Sequence, residues 1–224
     1  MSWVLANLPT IAGHLLAHLL QAVPAIIASF VLAIPIARLA RVARPLRAVL
    51  VTGSSLLYAV PSLALFVILP IILATGIRDP LNVIVALTLY GLALLVPATA
   101  DALDAVDARV LDAATAMGMG RLRCFLTVEL PLAGPAILTG LRVVTVSTIS
   151  LTTVGAVLGV RSLGWLFTDG FQRGITAEIV TGLVATAALA LVLDGLVLAL
   201  GRLCLPWTWK RAGATGQVLE ADGA

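Results

Sequence analysis

Few residues of this 224-residue chain have the types and spacing for chemistry. His14 and His18 stand four apart, which puts both on one face of a helix, a spacing that suits a metal ion. No acidic residue or cysteine stands near them in sequence. A pair of interfacial side chains is the plainer reading, and no metal is expected. Arg142 and Asp194 are the two charges that fall well inside apolar runs. Neither a Ser-His-Asp set nor a pair of catalytic carboxylates is visible, so an enzyme reading finds no support. The chain has one lysine, Lys210, and no Gly-x-x-x-x-Gly-Lys, so it lacks the loop whose lysine reaches nucleotide phosphates. No cofactor is expected on this chain.

The surroundings of these residues are mostly apolar. The chain is 61% hydrophobic and 11% charged, with mean hydropathy +1.12. Soluble domains carry about 25% charged residues. A membrane span needs about 20 apolar residues at about 1.5 Å of rise each. Five windows meet that length, at about 15–37, 48–74, 80–100, 136–160 and 179–203. The second is interrupted by Pro61 and Pro70, and a sixth apolar piece near 163–171 is too short to span. The apolar runs are continuous, which excludes the alternation of a β-barrel. The expected fold is an all-α polytopic membrane protein of about five, possibly six, spans. Residues 1–206 form the membrane domain. Residues 207–224 form a small, polar tail expected to be disordered.

Charge sets the expected orientation. All but Arg78, Arg161 and Arg173 of the 14 basic residues fall in the first loop, in the stretch from Arg109 to Arg142, or at the C-terminus. The positive-inside rule then places those regions in the cytoplasm and the N-terminus outside, in the cell membrane. Residues 1–13 hold no Lys or Arg, so the first apolar run reads as a retained span, not a cleaved leader. Trp207 and Trp209 suit an interfacial belt. Cys124 and Cys204 fall on the reducing side and read as small apolar fillers.

Between the third and fourth spans lies a polar island from Asp101 to about Pro135. Asp101, Asp104 and Asp107 are good helix-start residues. Gly118 and Gly120 interrupt the helix, and Leu130-Pro131 and Gly134-Pro135 restart the chain into the fourth span. The expected result is two short surface helices with a glycine elbow. Two readings stand: an amphipathic linker lying at the interface, or a docking element gripped by another protein.

The order Asp112-Ala113-Ala114, three residues, Gly118, and then Leu130-Pro131 resembles the EAA loop of ABC importer permeases, with Asp112 in place of the usual Glu. Tyr58-Ala59-Val60-Pro61-Ser62-Leu63-Ala64-Leu65 is similar to a stretch of permeases for quaternary-amine osmoprotectants. So are Gly118-Met119-Gly120, Val128-Glu129-Leu130-Pro131-Leu132, Gly140-Leu141-Arg142 and Leu193-Asp194. The resemblance covers roughly residues 15–205. One departure stands out: Gly159-Val160-Arg161-Ser162-Leu163-Gly164 replaces a glycine-rich stretch of the family.

The resemblance implies a type I ABC importer permease-like fold and a permease function for glycine betaine, carnitine, choline or proline betaine. It implies that Asp112, Ala113, Ala114, Gly118 and Met119 form a coupling helix docked on a separate ATP-binding subunit that uses the ATP. It further implies a second permease copy or a related permease, an extracytoplasmic substrate-binding protein, and membrane lipid as partners; no nucleic acid is expected. An importer of another small solute such as methionine is the nearest alternative. A self-contained secondary transporter or channel is the alternative of a different class, though five spans do not divide into the matching halves usual there.

Two further expectations concern the spans. Tyr58, Pro61 and Ser62, with Ser147, Thr148, Ser150, Thr152 and Thr153, are candidates to line the translocation path; helix packing through the same hydroxyls is the competing reading. Arg142 lies about 9 Å and Asp194 about 13 Å from the same membrane face at 1.5 Å per residue. They can pair, or Arg142 can snorkel to the headgroups while Asp194 makes a local polar contact.

Overall fold

The computed structural model describes residues 2–42 and 44–207, and every described element is helical. The expected tail thus lies outside the described residues, apart from Trp207. A short α1 (Ser2–Ala6) leads into α2 (Leu8–Val42), which starts seven residues before the expected first span. Then come α3 (Arg44–Tyr58), α4 (Ser62–Leu73), α5 (Pro80–Asp104), α6 (Ala108–Ala116) and α7 (Arg121–Cys124). A π-helical turn, Phe125–Glu129, joins α7 to α8 (Leu130–Thr152). A 3-10 segment, Thr153–Leu158, is followed by α9 (Trp165–Arg173) and α10 (Thr176–Cys204). Four helical stretches are long and apolar enough to cross a membrane, or five if α3 and α4 count as one span.

Three boundaries differ from the sequence expectation. The second span is not one rod: α3 and α4 meet at 109°. Pro61 is extended, at φ −58° and ψ 128°, and a proline disfavours helix in the residue before it. Pro70 lies inside α4 without breaking it. The second short helix of the island is instead the first turn of one helical stretch, Arg121–Leu158, and Pro131 and Pro135 lie within it. Proline lacks an N–H and its ring crowds the preceding turn; the wider π turn, closed by Leu130 N–H to Phe125 C=O, lets the helix continue through it. Finally, Asp101 and Asp104 end α5, where only Asp107 starts a new helix.

The centre of the bundle is α5, packed chiefly between α2, α3 and α8. Its start is fixed by Asp79, whose side chain accepts from Leu81 N–H, with Pro80 at the first helical position. In α2 the buried residues Ala25, Ser29, Ala33 and Ala37 repeat every four residues and face α5 with almost no side-chain bulk. Gly91 takes this furthest, since a Cβ there would lie 2.1 Å from Ser29 Oγ. Small residues that allow close backbone approach are what hold helices together where burial from water is not available as a driving force.

Candidate functional site

At one end of the bundle α6 projects as a separate element. Asp107 caps it by accepting from Arg109 N–H at 2.9 Å, and the Arg109 guanidinium, hydrogen-bonded to the same carboxylate, holds Asp107 below the usual carboxylate range. The helix ends in a two-bond cap: Gly118 N–H donates to Thr115 C=O and Met119 N–H to Ala114 C=O. Gly118 has φ +82°, a conformation that glycine adopts without strain. Ala114 is buried and Met119 half-buried beneath this cap, whereas Asp112, Ala113, Ala116 and Met117 are exposed. Asp112 has no ion pair among the described residues. So Asp112 and Ala113 are presented outward, while Ala114 and Met119 anchor the helix.

The root of α6 is tied to the first half of the chain by arginines. Arg41 of α2 pairs with Glu129 and, at 3.5 Å, with Asp104, and donates to Leu103 C=O at 2.6 Å. Arg47 of α3 pairs with Asp104 at 2.5 Å. Arg38 lies 3.7 Å over the ring of Phe125. Acidic side chains at a helix C-terminus oppose the helix dipole, and these guanidiniums offset that repulsion at the end of α5. Sequence reasoning missed the network because it used these arginines only to orient the chain. The spacing of three between Arg38 and Arg41 was the available signal, since it puts both on one face of α2.

At mid-chain the break between α3 and α4 frees main-chain carbonyls. Tyr90 of α5 donates its hydroxyl to Val60 C=O at 2.5 Å and meets Tyr58 edge-on, with ring centroids 6.0 Å apart. Tyr58 and Pro61 are exposed and Ser62 is half-buried, so the break opens away from the core. The hydroxyl run of α8 divides in two. Ser150 is exposed and Ser147 and Thr153 are half-buried. Thr148 is 2% exposed and Thr152 fully buried, and Thr152 donates to Thr148 C=O within the helix. Thr148 and Thr152 are therefore covered in this conformation and the other three are more open; a helix turns 100° per residue, so one polar run cannot face one way.

Arg142 of α8 and Asp194 of α10 form a two-pronged ion pair, Nε to Oδ1 at 2.8 Å and Nη2 to Oδ2 at 2.7 Å. A Cβ on Gly201 would lie 2.2 Å from Leu138 Cδ2, so the same two helices approach closely one turn or two nearer the α6 end. His14 and His18, expected at the interface, are buried instead. His14 stacks on Trp165 at 4.7 Å, and His18 Nδ1 accepts from Leu163 N–H at 3.4 Å. The apolar face of α9 brings these partners to α2, a contact that spacing along the chain does not reveal. Among the described residues no group of three His, Cys, Asp or Glu side chains could hold a metal ion. Cys124 is buried and Cys204 exposed, both as free thiols.

The site thus combines a projecting capped helix, a broken span and an ion pair between two long apolar helices. Residues 25–209 match the family described as the inner membrane component of binding-protein-dependent transport systems, and the chain belongs to that family. The choline transport system permease protein OpuBD of Bacillus subtilis (strain 168) is 30% identical over 198 residues, covering 88% of this chain and 86% of that protein. The glycine betaine/carnitine/choline transport system permease protein OpuCD of the same organism is 29% identical, covering 79% and 76%. The ergothioneine transport permease/ergothioneine binding protein EgtU of Helicobacter pylori (strain G27) is 33% identical over 67% of this chain, which spans only 27% of that longer protein. Among solved structures, an inward-facing MetNI methionine ABC transporter superposes with TM-score 0.76 at 20% identity, covering 87% of this chain and 95% of the other. The fold is therefore that of a type I ABC importer permease. Family membership implies an ATP-binding subunit and a substrate-binding protein as partners.

Proposed function

We propose that this chain forms the pore of an ATP-driven importer for a small quaternary-amine osmoprotectant of the glycine betaine, carnitine or choline type. The observation that carries this reading is the near full-length match to permeases named for choline and for glycine betaine, carnitine and choline. In this reading α6 docks into the ATP-binding subunit through Asp112 and Ala113, with Gly118 and Met119 shaping the end of the helix. ATP is bound and hydrolysed on that partner. The coupling end and the C-terminus face the cytoplasm, and the N-terminus faces outward, as the arginine distribution supports. Two permeases, identical or related, enclose one path, which Tyr58, Pro61, Ser62, Ser147, Ser150 and Thr153 help to line. The exposed hydroxyl of Ser150, with Ser147 and Thr153 half-buried near it, supports that assignment.

Because the ergothioneine permease is 33% identical over the matched stretch, ergothioneine is the second solute to test. The experiment is direct. The substrate-binding protein encoded with this chain is titrated calorimetrically with glycine betaine, carnitine, choline, ergothioneine and methionine. Binding of a betaine or choline in preference to the others supports the reading. Preference for ergothioneine or methionine replaces the solute and leaves the machinery in place.

A further inference from the structure

A second pocket, of about 390 Å³, lies at the end of the bundle opposite α6. Gln21 of α2, Arg78 and Pro80 at the start of α5, and Gly159 and Arg161 after the 3-10 segment line it. Gln21 precedes Arg38 by 17 residues and Pro80 precedes Asp101 by 21, about 26 and 31 Å of helix at 1.5 Å per residue. The hydrocarbon core is about 30 Å thick. Two independent helices therefore place the pocket at the membrane boundary opposite the coupling end.

Its chemistry is unusual for this end of the molecule. Among the described residues neither Arg78 nor Arg161 has a carboxylate within 4 Å, whereas Arg173 at the same end pairs with Asp169 at 2.9 Å. Arg78 lies against Gly159, where a Cβ would come within 3.0 Å of its Nε, and Gly159 has φ +80°. Gln21 is 2% exposed. Its Nε2 donates to Arg161 C=O at 2.7 Å and to Ala17 C=O at 2.8 Å, while its buried Oε1 has no hydrogen-bond partner. The pocket thus offers two unpaired guanidiniums and one unfilled acceptor. On the same face of α2 as Leu20, which lines the pocket, Ile27 and Val31 lie deeper in the membrane and are 57% and 58% exposed, an apolar surface suited to hydrocarbon.

We propose that Arg78, Arg161 and Gln21 bind the headgroup of an anionic membrane phospholipid that also carries a hydrogen-bond donor, as phosphoglycerol does. The guanidiniums hold the phosphate oxygens, a geometry for which arginine is well suited. A headgroup hydroxyl donates to Gln21 Oε1, and the acyl chains lie along Ile27 and Val31. Free phosphate shares the anion chemistry but supplies neither the donor nor the chains. The site does not depend on which solute is carried.

The test is native mass spectrometry of the assembled transporter, titrated with phosphatidylglycerol, phosphatidylcholine or inorganic phosphate. The expected result is selective retention of phosphatidylglycerol. The Arg78→Gln/Arg161→Gln double variant lowers that retention by at least about tenfold, the loss expected for one charge-assisted contact. Unchanged retention in the double variant overturns the proposal. Retention of inorganic phosphate as strong as that of the lipid overturns it in favour of a soluble anion. Unchanged lipid retention with weakened affinity for the substrate-binding protein assigns the arginines to that partner and also overturns it. If the double variant does not assemble, Gln21→Leu keeps both charges and is expected to erase the preference for phosphatidylglycerol over phosphatidylcholine. A preference that survives that change contradicts the proposal.

Discussion

Arg142 grips both carboxylate oxygens of Asp194, joining α8 to α10 through two parallel hydrogen bonds at a partly buried contact. Removing one partner leaves an unpaired charge among apolar helices, whereas exchanging the two keeps the pair. Asp194→Arg alone is therefore expected to cut the yield of assembled transporter severalfold. Adding Arg142→Asp is expected to restore part of it. Size-exclusion profiles of the three proteins, expressed in parallel, check this; a double variant no better than the single one counts against the pair as a structural clasp.

At the break between α3 and α4, Tyr90 satisfies Val60 C=O. Tyr90→Phe removes the donor and keeps the ring. Interhelical hydrogen bonds in membrane proteins contribute about 0.6 kcal/mol on average and at most about 1.7. A modest fall in thermal stability is expected, together with a larger change in uptake if the break shapes the path. Thermal denaturation and uptake measured on the same preparation separate the two effects. A stability loss with uptake per folded transporter unchanged would confine Tyr90 to packing.

The proposed coupling helix α6 divides by burial. Ala113 is exposed and Ala114 is covered. Ala113→Trp is expected to leave folding intact and reduce ATP-dependent uptake by about tenfold or more, because the bulk sits on the docking face. Gly118→Val forces a β-branched residue to φ +82°, a strain of about 1–3 kcal/mol, and is expected to loosen the end of α6. Both variants should bind the ATP-binding subunit less tightly in a pull-down. Wild-type uptake by both would remove α6 as the coupling element.

Cysteine labelling tests the division of α8. With Cys124 and Cys204 replaced, single cysteines at Ser147, Ser150 and Thr153 are expected to react with a small water-soluble maleimide in at least one state of the ATP cycle. Cysteines at Thr148 and Thr152 are expected to stay protected. Equal reactivity at all five positions would show that the burial seen here does not persist through the cycle.

Much of this architecture was legible in the chain because membrane spans are set by length and hydropathy, which are local properties. The third span, its Pro80 start and the position of α6 follow from residues within a few places of one another. The depth of Arg142 and Asp194 also follows from counting rise per residue, which is why their pairing could be posed as a question. What sequence could not show depends on contacts distant in sequence. Arg41 meets Glu129 88 residues away, and Gln21 meets Arg161 140 residues away. The π turn before Pro131 was hidden for a different reason: proline reads locally as a helix start, and only the continued packing of α8 keeps the helix running through it.

The central claim is that this chain is the pore of an ATP-driven, binding-protein-dependent importer of a quaternary-amine solute. Uptake of labelled glycine betaine and choline into proteoliposomes, reconstituted with this chain, its ATP-binding subunit and its substrate-binding protein, tests it most directly. The account predicts uptake that requires all three proteins and internal ATP, with no dependence on an imposed ion gradient. Uptake by this chain alone, driven by such a gradient without ATP, would contradict it.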